Sequence, residues 1–271
     1  MIERYKKIAD EISQKVKFRP EIGIILGSGL GKLADKIQDP ITLCYSEIKD
    51  FPVSTVEGHD GKFVFGKIGG KPVMVMKGRF HYYEGYDMEQ VTLPVRVMKL
   101  LGVEKLFVSN AAGGLNSSFK VGDIMIIKDH INFFPQHPLR GKNIAEMGPR
   151  FPDMNQPYSL KLIQIAKEMA LEMNLEIKEG VYIGSSGPTF ETPAEYNMFR
   201  IWGADATGMS TVPEVIIARH CGIECFGISV ITNVSHKNEK ATENLHEDVL
   251  KVAATASENL CNLVEKMMGG L

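Results

Sequence analysis

Apolar positions follow two rhythms along this 271-residue chain. Short apolar runs, closed by glycine, proline or polar residues, fall at 21–26, 105–109, 123–128, 180–184, 205–208 and 224–232, and each reads as a strand. Residues 62–68 and 72–76 flank Gly69 and Gly70 and read as a β-hairpin. A helical period marks the amino-terminal segment, 87–101 with a kink point at Pro94, 159–173, 193–202 and 246–268. Another helix follows Ser210 and Thr211, either of which can cap it, with Glu214 three residues after Thr211 as a capping-box acid. Strands and helices alternate without a linker or repeat. That predicts one α/β domain over 1–271, built on a central mixed sheet.

Composition narrows the function classes. A formal net charge of -2 with no block of like charge gives no sign of a nucleic-acid surface or a polybasic anchor. No apolar run reaches membrane-spanning length, and the amino terminus reads as a charged amphipathic helix, not a signal peptide. Cys44, Cys221, Cys225 and Cys261 form no C-x-x-C pair, and the 7 histidines lack metal-ligand spacing. A reduced, cytoplasmic, metal-free protein is expected.

Five stretches carry polar chemistry that a core does not need. Gly27-Ser28-Gly29-Leu30-Gly31 follows a strand and precedes an expected helix, so it is either an anion-binding loop or a tight turn. Its spacing departs from the dinucleotide fingerprint, although Glu47 lies where a ribose-binding acid would stand; a nicotinamide-dependent oxidoreductase therefore stays open. Residues 78–86 place Arg79, His81, Tyr83 and Glu84 between glycines, which suits a phosphate held by Arg and His with an acid orienting the imidazole. Asn110 to Gly114 reads as a second small-residue loop at a strand end, which either lines one cleft with the first loop or only permits close packing. In the segment 186–195, Phe190 offers a stacking surface and Glu191 a strong acceptor, a pairing that suits a flat heterocycle with N–H donors; a plain surface loop is the alternative. Ser210 is a cap or an anion-facing hydroxyl, and His246, in the first turn of the last helix, is solvated or faces a ligand. The long connection 131–150 reads as a lid or a subunit contact.

Gly27-Ser-Gly-Leu-Gly, Gly78-Arg-Phe-His-Tyr-Tyr-Glu-Gly-Tyr, Asn110-Ala-Ala-Gly-Gly-Leu, Gly187-Pro-Thr-Phe-Glu-Thr and Gly208-Met-Ser-Thr-Val-Pro-Glu together resemble, in order and spacing, the low-molecular-mass trimeric purine nucleoside phosphorylases. The resemblance implies a twisted, partly barrel-like mixed sheet flanked by helices. It also implies reversible phosphorolysis of 6-oxopurine ribo- and deoxyribonucleosides to the free base and pentose 1-phosphate, for purine salvage. Inorganic phosphate would be a co-substrate, with no cofactor, and the chain a cytoplasmic homotrimer with no nucleic-acid or membrane partner. Carried over by position, phosphate falls to Ser28, His59, Arg79, His81, Ala111 and Ser210. Ribose falls to Tyr83, Met209, His246 and a neighbouring subunit's Phe151; the base falls to Phe190, Glu191 and Asn233. Glu84 would orient His81, and Asn233, Glu191 and His81 would be the catalytic groups. The chain departs from the pattern at Val234, Ser235 and His236, where animal members carry Lys after the base-binding Asn, and at Thr207, where many relatives have Val. A non-enzymatic purine sensor would keep the base contacts but has no need of a phosphate site.

Overall fold

Burial of every residue of β1 (Ile22–Leu26) follows from its place inside the sheet, between two parallel partners, β4 (Lys71–Lys77) and β5 (Lys105–Gly114). The computed structural model describes residues 2–28, 30–55, 60–234 and 246–271, with side chains from 247 onward in the last segment. β4 turns back on β3 (Lys62–Ile68) through Gly69 and Gly70, whose φ values of 56° and 81° suit the turn that a twisted hairpin needs. Beyond β3 lies β2 (Gln38–Cys44), an edge strand absent from the sequence expectation. Its first five residues are exposed and it contains Pro40, so it carries no burial rhythm, and an edge is where a strand tolerates proline.

The other wing closes on itself. β5 pairs in parallel with β9 (Glu224–Val234) and antiparallel with β8 (Ala206–Gly208). β8 continues in parallel to β7 (Ile177–Gly184), β7 in parallel to β6 (Ile124–Asn132), and β6 returns antiparallel to β9. β5, β8, β7, β6 and β9 therefore make a ring, while β1, β4, β3 and β2 extend from β5 as an open sheet. This is the mixed, partly barrel-like sheet expected, with 9 strands among the described residues.

Helices cover it. α1 (Ile2–Val16) buries Tyr5, Ile8, Ala9, Ile12 and Val16, one face at helical spacing, against α2 (Met88–Leu101). Asp87 caps α2 by accepting from Gln90 N at 2.8 Å, and Gly102 ends it at φ 108°. α3 (Leu160–Glu172) and α6 (His246–Gly270) pack together, and α5 (Val212–His220) lies against α2. α4 (Pro193–Ile201) begins at the Thr192 cap.

Two local expectations change. The Asn110–Gly114 segment is not a loop but the second half of β5, which continues alongside β9 with a register shift after Ala112. Its residues are small because neighbours leave no room: a Cβ on Gly114 would stand 2.9 Å from Ile231 Cγ2. After the first glycine loop, Gly31–Lys36 is a single 3-10 stretch and not an α-helix. Any anion there is met by loop groups without a helix dipole behind them.

Candidate active site

Parallel pairing of β4, β1 and β5 aligns their carboxyl ends, which is where open α/β sheets gather ligands. The chain leaving β1, the chain leaving β4 and the middle of β5 line one cavity of about 370 Å³, together with the loop after β7, the end of β8 and the end of β9. Ser28, Arg79, His81, Tyr83, Ala111, Phe190, Glu191, Met209, Ser210 and Asn233, all singled out in the sequence, share this cavity. Gly27 permits the closeness, since a Cβ there would stand 2.6 Å from Asn110 Cα.

At one end, Arg79 is 2% exposed and held by both of its terminal nitrogens. Its Nη1 donates to Ser210 Oγ at 2.6 Å and Thr211 Oγ1 at 3.1 Å; its Nη2 donates to the Ser109 carbonyl at 2.5 Å and the Ile25 carbonyl at 3.4 Å. Glu214 Oε1 lies 3.6 Å from Nη1. The chain turns sharply beside it. Thr211 has φ 74° and ψ -52°, and Val212 N donates to the Ser210 carbonyl at 2.8 Å, a γ-turn of the strained, positive-φ kind. Arg79 and Asn110 Nδ2, the latter at 2.8 Å, hold the turn by its Thr211 hydroxyl. The expected capping box is therefore absent: neither Ser210 nor Thr211 makes a side-chain cap to α5, and Glu214 faces Arg79 instead. The turn serves to bring Ser210 to the cavity wall.

His81 stacks on Tyr83 at 4.7 Å between ring centroids, and its Nδ1 lies 2.9 Å from Glu84 Oε1. Glu84 also accepts from the His81 and Thr55 backbone N–H groups, at 2.8 and 3.0 Å. Burial by itself would raise the Glu84 carboxyl, but these bonds outweigh it and hold the group down to about 2. Burial holds the His81 imidazole below its usual range, an effect that the bond to Glu84 offsets in part. A neutral His81 facing an acceptor-only carboxylate carries its proton on Nδ1.

The Glu84 shift has a pH signature. Its folded value lies below its unfolded one, so the stability it contributes is complete above about pH 4.5 and is lost as pH falls toward 2. Glu84→Gln is therefore expected to lower the urea midpoint at pH 6, with the gap to the parent protein narrowing steadily below pH 4.5. A gap that stays constant down to pH 3 contradicts this.

At the other end, Glu191 sits on the loop between β7 and α4. Thr192 accepts from Glu195 N at 3.2 Å while Glu195 Oε2 accepts from Thr192 N at 2.7 Å, so a capping box anchors the chain directly after Glu191. Thr207 Oγ1 donates to Glu191 Oε1 at 2.7 Å. Thr232 Oγ1 shares its proton between Asn233 Oδ1 at 3.3 Å and the Ala112 carbonyl at 3.4 Å; with Oδ1 toward Thr232, Nδ2 is the donor that Asn233 has left for a ligand. Both Asn233 and Thr207 rest on Gly113, where a Cβ would stand 3.3 Å from Asn233 Nδ2 and 3.4 Å from Thr207 Cγ2. The buried Tyr196 phenol lies beside Glu191 and Asn233; burial pushes it up to about 12, and Glu191 adds to the shift.

His59 is outside the described residues, as is the side chain of His246, although Val249, one turn into α6, lines the cavity. Phe151 is 87% exposed and away from this cavity, with the Arg150 guanidinium 5.5 Å from its ring centroid. Glu47 accepts from Cys44 N at 2.8 Å and does not line the cavity, which removes the support for a dinucleotide site. Among the described residues, no group of three or more His, Cys, Asp or Glu is placed to share a metal ion. Sequence reasoning missed Thr211, Glu214 and Tyr196 as parts of the site. Only Tyr196 left a signal, a hydroxyl-bearing aromatic one helical turn after the Thr192 cap.

A family model described as the phosphorylase superfamily matches residues 21–268. Purine nucleoside phosphorylase 1 of Geobacillus stearothermophilus is 56% identical over 230 residues, covering 85% of this chain and 84% of that protein. The Bacillus subtilis enzyme of the same name is 49% identical, with 99% and 98% covered. The chain belongs to the purine nucleoside phosphorylases. A crystal structure of the Schistosoma mansoni purine nucleoside phosphorylase in complex with inosine superposes with a TM-score of 0.94 at 46% identity, over 100% of this chain and 97% of that one. All the cavity residues named above lie inside the stretch that matches the phosphorylase superfamily.

Proposed function

We propose that this chain, whose reaction is the phosphorolysis of purine nucleosides, takes 6-oxopurine substrates: inosine, guanosine and their deoxy forms. One observation carries the reading. A single cavity joins a set suited to phosphate, Ser28, Arg79, His81 and Ser210, with a set suited to a purine, Phe190, Glu191 and Asn233. Phosphate attacks C1′ as the C1′–N9 bond breaks and its electron pair passes to the base. Positive charge then builds on the sugar and negative charge on the purine, so catalysis rests on groups that stabilise each. Asn233 Nδ2 donates to N7 as charge develops there. Glu191 accepts from N1–H, and from the 2-amino group of guanine. A 6-aminopurine offers an N1 lone pair to Glu191 and a second donor to Asn233, so adenosine is expected to be a poor substrate.

Sugar contacts are assigned to Tyr83, Met209, His246 and a neighbouring subunit's Phe151, and a further phosphate contact to His59. The exposed Phe151 ring supports assembly as a trimer; sedimentation of the purified chain as a monomer contradicts it. Three buried thiols, Cys221, Cys225 and Cys261, suit a reducing cytoplasm, and no described helix is long and apolar enough to cross a membrane. No cofactor enters this scheme, and turnover is expected to survive EDTA.

The deciding assay follows hypoxanthine release from inosine with and without inorganic phosphate, and repeats it with adenosine. Release that needs phosphate, with kcat/KM for adenosine far below that for inosine, is the expected result. Release in its absence means hydrolysis, no release means a binder, and equal use of adenosine contradicts the 6-oxo preference.

A further inference from the structure

Glu191 is held by a residue outside its own loop. Pro188, Thr189 and Phe190 before it are exposed, and Glu191 is itself only half-buried, so its loop has little core to fix it. Thr207 differs in every respect. It is 2% exposed, in the middle of β8, paired on one side with Gly113 of β5 and on the other with Ile183 of β7. Its hydroxyl is the link, donating to Glu191 Oε1 at 2.7 Å. We propose that Thr207 is a positioning and specificity residue: it ties the carboxylate that reads the purine to the rigid ring of strands, and it favours bases that offer that carboxylate a single donor. The proposal rests on the assignment of Glu191 to the base.

The specificity follows from donor counts. Hypoxanthine offers Glu191 only N1–H, and one bond leaves the carboxylate free to rotate and tilt. Guanine offers N1–H and a 2-amino N–H side by side, a fork that orients a carboxylate without help. A fixed carboxylate therefore matters more for inosine than for guanosine. Valine in place of threonine keeps the branched shape against Gly113 and removes only the donor; serine keeps the donor.

Thr207→Val is expected to lower kcat/KM for inosine about tenfold and for guanosine no more than about threefold, with KM for phosphate within about twofold of the parent. Thr207→Ser should restore inosine turnover to within about threefold. In a Glu191→Ala background, Thr207→Val should add little, because the Thr207 hydroxyl has already lost its acceptor. Melting temperatures of all variants accompany the kinetics. If Thr207→Val folds poorly, the serine variant and the guanosine-to-inosine ratio of the soluble fraction still decide the question. Equal losses for both nucleosides, or inosine turnover in Thr207→Val within about twofold of the parent, overturn the proposal. Near-normal inosine turnover by Glu191→Ala would instead overturn the base assignment itself, so the two failures are distinguishable.

Discussion

Glu191→Ala and Asn233→Ala are each expected to lower kcat/KM for inosine by at least about a hundredfold while leaving KM for phosphate little changed. A hydrogen bond to a charged partner contributes about 1.5 to 3 kcal/mol net, and each 1.36 kcal/mol lost from the transition state is about tenfold in rate. That already reaches the hundredfold range. The effect is larger where charge grows during the reaction, as it does on the leaving purine, because the site then stabilises the transition state more than the bound substrate. For Asn233 the loss should fall mainly on kcat, since its bond to N7 strengthens only as the base departs. For Glu191 it should divide between kcat and KM, because N1–H is a donor in the substrate as well. Removing Asn233 leaves Thr232 Oγ1 the Ala112 carbonyl at 3.4 Å as acceptor, whereas removing Glu191 takes away the acceptor of Thr207 Oγ1. Inosine turnover near the parent value in either variant removes that residue from the chemistry.

How far the sequence was legible differs between fold and site. Central strands were readable because burial on both faces leaves unbroken apolar runs, as in β1 and in the greater part of β9. β2 was not, because an exposed edge strand carries no such record. The end of β5 was mistaken for a loop because Asn110 to Gly114 is poor in large apolar side chains, yet small residues there answer to close packing against β9 and to the floor under Asn233. In the site, residues that face the cavity were readable as types: an Arg and a His at a strand end, a carboxylate beside an aromatic. The residues behind them were not. Thr211 and Glu214 read as helix-capping residues, because a Thr-x-x-Glu pattern says nothing of a positive φ or of an arginine arriving from a distant strand. Thr207 stood out only as a departure from its relatives. Its bond to Glu191 joins the middle of a barrel strand to a loop that precedes α4, a juxtaposition that only the closed ring creates.

Arg79→Met is expected to destabilise the protein by about 3–5 kcal/mol and to abolish saturation by phosphate, two consequences that can be separated. The stability loss comes from what stays behind. Glu214 is 2% exposed, its carboxylate oxygens have no hydrogen-bond partner among the described residues, and the Arg79 guanidinium at 3.6 Å is its counter-charge. Without that cation a buried carboxylate is left uncompensated, and the carbonyls of Ser109 and Ile25 lose a donor. The catalytic loss comes from the γ-turn. Thr211 Oγ1 accepts from Arg79 and Asn110, which leaves its own proton for Ser210 Oγ at 3.1 Å. Ser210 Oγ also accepts from Arg79, so its remaining capacity is to donate, as an anion site requires. Methionine removes the charge and the support of that turn together. Adding Glu214→Leu should return most of the lost stability, since both charges are then gone and similar volume remains, but phosphate-dependent turnover should stay absent. Chemical denaturation of the parent, both single variants and the double variant, with phosphate kinetics on each, checks the argument. A double variant no more stable than Arg79→Met would show that the buried pair is not coupled, and normal KM for phosphate in Arg79→Met would remove the arginine from the anion site.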